Sequence, residues 1–154
     1  MRYSVKCVLT LNMSNTVTNM FELHPQLAKD CVEVRDFPLS KVLLLNDSNY
    51  PWIILVPRRD NVGEIFQLSG EDQRQLLAES SALCEAMATY FKADKMNVAA
   101  LGNRVPQLHL HHIVRYKNDA SWPSPVWGAV EAKPYSKTEL DDLLAILESV
   151  ISFN

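Results

Sequence analysis

Gln107-Leu108-His109-Leu110-His111-His112-Ile113 carries three of the chain's four histidines within four positions; His24 lies far upstream. Polar and large apolar side chains alternate here, the pattern of a β-strand with one face in a core. Successive strand side chains point to opposite faces. Gln107, His109 and His111 are therefore expected to share one face, and Leu108, Leu110 and His112 the other. Two imidazoles and a carboxamide on one face are costly in a core and useful in a site.

Upstream, Gly102-Asn103-Arg104-Val105-Pro106 turns the chain into this strand from Asn97 to Leu101, a strand of small residues. A strand, a short turn and a strand imply antiparallel neighbours. Ser69 opens the main helix, with Asp72 three residues on as a variant capping box. Leu76, Leu83, Cys84, Met87, Tyr90 and Phe91 form one apolar stripe at helical spacing, read as packing. Further back, Val42 to Leu45 and Trp52 to Val56 are apolar strands joined by Asn46-Asp47-Ser48-Asn49-Tyr50-Pro51. That loop is dense in turn formers and marks a hairpin. Cys31 to Phe37 alternates as another strand, and Leu23 to Leu27 reads as a turn with His24 as a cap or surface residue.

Downstream, Trp122-Pro123-Ser124-Pro125-Val126-Trp127-Gly128 sits in a long segment from Lys117 to Pro134. Rigid prolines between two tryptophans imply an ordered loop packed on something. It is either a clasp over the domain or a partner, or a wall beside the histidine face. Ser136 with Glu139 is a capping box for an amphipathic terminal helix. The expected fold class is α+β: an antiparallel sheet of about five strands with a long helix and a C-terminal helix, over residues 21–154 as a single domain.

The chain has 154 residues, 47% hydrophobic and 21% charged, with a net charge of −3. These values suit one globular domain and argue against a nucleic-acid partner held by bulk charge. No apolar run is long enough for a membrane span. Cys7, Cys31 and Cys84 are widely spaced and odd in number, which indicates neither a disulfide framework nor a thiolate zinc site and fits a reducing cytoplasm. Residues 1–20 are read as a loosely ordered extension rather than an export signal, and Met13 or Met20 is an alternative start.

Neutral imidazole is a good nucleophile and acid–base group. Side chains two apart on a strand are roughly 7 Å apart, so His109 and His111 are expected to bracket a phosphate-sized space. The turn amides around Gly102 and Asn103 suit an anion, and Arg104 adds a cation. With four glycines in the chain, no Gly-rich phosphate loop of the P-loop or dinucleotide type can be written. A metal reading of the His109-to-His112 run needs further ligands, because His109 and His112 face opposite ways.

Val105-Pro106-Gln107-Leu108-His109-Leu110-His111-His112-Ile113 resembles the signature of the histidine triad (HIT) family, in which three histidines alternate with apolar residues after a Gly-Gln-(Ser/Thr)-Val-(Pro) turn. Leu44 to Arg58 resembles the family's hairpin, and the resemblance runs roughly from Leu23 to Arg115. The Trp122-to-Gly128 segment is similar to a bacterial subgroup related to diadenosine polyphosphate hydrolases. The resemblance implies a homodimer that binds a small-molecule nucleotide and hydrolyses or transfers a nucleoside monophosphate through a covalent nucleotidyl-histidine. Its substrate would be a dinucleoside polyphosphate or nucleoside phosphoramidate.

By position, His109 would be the nucleophile, His111 the phosphate-facing third histidine, Asn103 a phosphate contact, and Asp47 with Asn46 the ribose site. The resemblance implies no required cofactor, a divalent metal entering only with substrate, and no membrane or nucleic-acid partner. The chain departs from the family at Gln107, where a histidine is usual, at Arg104, where a small hydroxyl residue is usual, and in a shorter loop before Gly102. A nucleotide-binding or sensing module with weak turnover is the alternative, and a metal-binding or structural dimer the third reading.

Overall fold

The computed structural model describes residues 21–153. The extension expected over residues 1–20, with Cys7, lies outside the described residues. The strands are β1 (Cys31–Asp36), β2 (Ser40–Leu45), β3 (Trp52–Pro57), β4 (Lys95–Ala99) and β5 (Leu110–Arg115). They form one antiparallel sheet in the order β1-β2-β3-β5-β4. Helix α1 (Pro25–Asp30) precedes the sheet, α2 (Gly70–Phe91) joins β3 to β4, and α3 (Lys137–Val150) follows β5. The α+β sheet expected from the sequence is thus present, with five strands.

The central strands are apolar on both faces because both faces are covered. Val42, Leu44, Ile53, Leu55, Leu110 and Val114 pack under the helices with Leu76, Leu83, Met87 and Leu147. Leu43, Trp52, Ile54, Val56 and Ile113 point the other way, where Leu27, Tyr50, Val105 and Val126 cover them. Burying such a Leu or Ile side chain contributes about 1.5–3 kcal/mol, so both layers hold β3 and β5 in place.

The helix signals act as expected, with one difference. Ser69 Oγ accepts from the Asp72 amide at 3.1 Å. The Asp72 carboxylate, however, turns to Arg59 at 2.7 Å instead of back to the Ser69 amide, so the capping box is half made. In α3 both halves form between Ser136 and Glu139. The apolar stripe of α2 buries Leu76, Leu83 and Met87 but leaves Tyr90 exposed.

The histidine strand begins at Leu110, three residues later than the alternation suggests. The Leu108 amide donates to Val62 O at 2.8 Å, in the loop after β3, and so leaves the sheet ladder. Pro106 has no amide to offer. Residues 107–109 therefore run beside the sheet.

Candidate active site

Strand β5 divides its histidines between the two layers. His112 faces α2 and is fully buried. Its Nδ1–H donates to Leu110 O at 3.1 Å. Its Nε2 therefore accepts from the Ser80 hydroxyl at 2.8 Å. Burial pushes this ring down to about 4, and it is a neutral packing residue behind the sheet, as the alternation implied. Ser80 itself carried no signal in the sequence beyond its place on the inner face of the helix.

His109 sits just before the strand. Its Nδ1–H donates to the Gln107 carbonyl at 2.6 Å, which leaves the lone pair on Nε2. Gly102 lies against the ring edge: a Cβ there would stand 3.1 Å from His109 Cε1 and 2.9 Å from Val105 O. Glycine is needed for that close approach. The His109 and His111 rings meet edge to face with centroids 4.9 Å apart. The expected phosphate-sized gap between them is absent. His109 precedes the strand and folds back onto Gln107 O, so regular strand spacing does not apply to it.

His111 is held from several sides. Trp52 Nε1–H donates to its Nδ1 at 3.0 Å. The proton of the neutral ring therefore sits on Nε2, 3.3 Å from Leu101 O. Burial, followed by the neighbouring His109, pushes His111 down to about 4. At neutral pH it is a hydrogen-bond donor that does not titrate. Trp127 stands edge-on to both His111 and Trp52, each at 5.4 Å between centroids.

The Trp122-to-Gly128 segment is thus both clasp and wall: Val126 is buried in the second layer and Trp127 borders His111. Its anchor is Arg115, 1% exposed at the end of β5. The guanidinium grips Asp119 with Nε at 2.7 Å and Nη2 at 3.1 Å. It also reaches Asn97 Oδ1 at 2.6 Å and Ser124 O at 3.0 Å. Its carbon lies 5.7 Å from the Trp122 ring centroid. These bonds hold the Asp119 carboxyl well below the usual carboxylate range. Trp52 and Arg115 are the residues that sequence reasoning missed. Only the spacing of Arg115 to Asp119 hinted at the second.

Gln107 uses its side chain elsewhere. Its Nε2 donates to Glu22 O at 3.0 Å, and its Oε1 accepts from the His24 amide at 2.9 Å. His24 caps α1, its Nδ1 accepting from the Gln26 amide at 3.1 Å. Asn103, Gln107, His109 and His24 line a cleft of about 760 Å³. Arg104 is exposed in the adjacent turn and does not line it. Asn46 and Asp47 do not line it either. Asp47 Oδ1 accepts from the Asn49 amide at 3.1 Å, Asn49 Nδ2 at 2.7 Å and the Lys133 amide at 3.1 Å. Asn46 Oδ1 accepts from the Tyr135 amide at 3.0 Å. The two hairpin residues thus tie the segment before α3 to the sheet.

Among the described residues, no three His, Cys, Asp or Glu side chains gather as a metal site would require. Among them also, no helix is long and apolar enough to cross a membrane.

The family model described as the HIT domain matches residues 26–118. A solved histidine triad protein from Marinobacter aquaeolei VT8 is 52% identical, with a TM-score of 0.84, over 86% of this chain and 96% of that one. One from Bradyrhizobium japonicum is 44% identical, with a TM-score of 0.84, over 86% of this chain and 99% of that one. A histidine triad (HIT) protein from Sinorhizobium meliloti 1021 is 36% identical, with a TM-score of 0.82, over 84% and 96%. No curated protein matches the chain.

Proposed function

The chain belongs to the HIT domain family of histidine triad proteins, and from that premise we propose that it is a nucleotidyl hydrolase or transferase with His109 as nucleophile. The observation that carries this reading is the bond from His109 Nδ1–H to Gln107 O at 2.6 Å. It leaves the Nε2 lone pair for attack. It also supports the charge on the ring once Nε2 is substituted, since the imidazolium proton already has its acceptor.

In the first step His109 Nε2 bonds to the α-phosphorus. The bond from phosphorus to the leaving group breaks, its electron pair going to the leaving atom, which takes a proton from solvent. Water then attacks the same phosphorus and returns a proton to solvent, Nε2 departs with the electron pair of its bond to phosphorus, and a nucleoside monophosphate and a neutral histidine result. His111 Nε2–H, which rests on Leu101 O at 3.3 Å, is assigned to turn from that carbonyl to a non-bridging phosphate oxygen when substrate binds, with the Trp52 bond keeping the proton on Nε2. Asn103 lines the cleft and is assigned to phosphate. Arg104 is assigned to the substrate's phosphates from outside the cleft, and Asp47, with Asn46 beside it, to the ribose.

The substrate class is a dinucleoside polyphosphate or nucleoside phosphoramidate. No cofactor is assigned, and a divalent ion enters only with substrate. A homodimer is supported by β4, an edge strand with Val98 48% exposed and Leu101 beside its end 41% exposed. The odd number and wide spacing of Cys7, Cys31 and Cys84 support a cytoplasmic location.

Incubation with labelled nucleoside phosphoramidate and acid-free mass spectrometry tests the reading. A phosphorus–nitrogen adduct on His109, absent in His109→Ala, is expected. Full turnover by His109→Ala would sink the mechanism. The engagement of the Gln107 side chain with residues 22–24 favours a second reading, a nucleotide-binding module without turnover. Tight binding of adenosine nucleotides with no adduct and no product would select it.

A further inference from the structure

Beyond the Gly102–Asn103 turn beside His109, the cleft is built from different chemistry than a phosphate site. There Asn61 and Gln67 bring carboxamides, Glu64 a carboxylate and His24 an imidazole to the lining. Among the described residues, none that lines it is Lys or Arg. A polyphosphate taken from water needs cationic or convergent donors, and here it would meet a carboxylate instead.

His24 is placed by two independent contacts. Its Nδ1 accepts from the Gln26 amide at 3.1 Å, so the neutral ring carries its proton on Nε2. Its main chain is pinned by Gln107, whose adjacent carboxamide donor and acceptor take Glu22 O at 3.0 Å and the His24 amide at 2.9 Å. The two nitrogens of an imidazole at position 107 would point apart and span this pair poorly.

Resting on the nucleotidyl-transfer reading above, we infer that this cleft receives the departing group of the substrate, that this group is uncharged while bound, and that His24 is its specificity-determining contact. His24 Nε2–H donates to an acceptor atom of that group. It holds the group without protonating it. Loss of the Nε2 proton would leave an imidazolate while Nδ1 accepts from the main chain, so the leaving atom takes its proton from solvent.

The test compares the full-length protein with His24→Asn, whose Oδ1 can still cap α1 but whose amide is too short to replace Nε2–H. Three substrates are used: an adenosine phosphoramidate of an amino-acid amide, diadenosine triphosphate, and adenosine phosphorofluoridate, whose leaving group is minimal. The unaltered protein is expected to favour the phosphoramidate over diadenosine triphosphate at least tenfold in kcat/KM. His24→Asn is expected to lose about tenfold on the phosphoramidate, mainly in KM, and at least fivefold less on the fluoridate. Preference for diadenosine triphosphate overturns the inference. So does an equal loss on phosphoramidate and fluoridate, or no loss on either. If no compound is turned over, the nucleotidyl-transfer reading fails, and calorimetry decides the cleft separately. Phosphoramidate binding weakened about tenfold by His24→Asn supports the assignment, and unchanged binding overturns it.

Discussion

Trp52 donates its indole N–H to His111 Nδ1 at 3.0 Å, and this bond decides which nitrogen of His111 carries the proton. Trp52→Phe keeps a ring against Tyr50 and Trp127 but removes the donor. The buried Nδ1 then lacks a partner, a cost of about 1–3 kcal/mol. The variant is expected to lose that much stability by urea denaturation and about tenfold in turnover. Nitrogen NMR of His111 should change from a single Nε2–H tautomer to a mixture. A spectrum still reporting Nε2–H alone would show that Trp52 does not set the tautomer.

Gly102→Ala places a Cβ 2.9 Å from Val105 O and 3.1 Å from His109 Cε1. Neither neighbour is the end of a flexible side chain, so the turn or the imidazole has to shift. Overpacking of this kind costs about 1–3 kcal/mol. Turnover is expected to fall more than tenfold, because a displaced His109 loses its short bond to Gln107 O. Kinetics unchanged from those of the parent would show that the ring has room.

His111 and His112 are both pushed from 6.5 down to about 4 in the folded chain, mainly by burial. The unfolded chain therefore takes up protons first as pH falls. Each ring contributes its full stabilisation above about pH 6.5, loses it progressively toward about pH 4, and loses no more below that, where the folded rings also protonate. The loss is at most on the order of 3 kcal/mol per ring. Urea midpoints between pH 7 and 4 should fall less steeply in His112→Gln than in the parent, although that variant starts lower at pH 7. Parallel slopes would refute the assignment to His112.

Asp119→Ala leaves Arg115 almost wholly buried without its carboxylate, the side chains being 4% and 1% exposed in the parent pair. Breaking such a pair from one side costs about 3–5 kcal/mol. The expected readouts are a lower Tm and red-shifted tryptophan emission as Trp127 leaves the sheet. An unshifted spectrum would mean that the prolines and Val126 hold the segment unaided.

The legible parts of this protein were local ones. The apolar runs of β2 and β3, the turn formers between Leu45 and Trp52, and the Ser136–Glu139 box all act within a few residues, so sequence spacing reports them. The illegible parts depend on partners far along the chain. Leu108 leaves the ladder because Val62 is there to accept its amide. Asn46 and Asp47, expected beside a ribose, also accept from the backbone amides of Tyr135 and Lys133, a tie that nothing in the hairpin sequence signals. Gln107 looked like an altered member of the triad, and its carboxamide serves Glu22 and His24. No periodicity encodes such pairings.

The two adjacent histidines of β5 bond to opposite layers, His111 to Trp52 and His112 to Ser80. A one-residue slip of this strand would exchange its faces. Leu110, Ile113 and Val114 would still be buried, so oil-like burial discriminates weakly between the two alignments. The polar bonds discriminate strongly: the slip strands Trp52 Nε1, Ser80 Oγ and the Arg115 guanidinium at once. The imidazoles thus mark the alignment of the strand as well as lining its two faces. Replacing both with leucine would be expected to yield a folded but register-heterogeneous sheet.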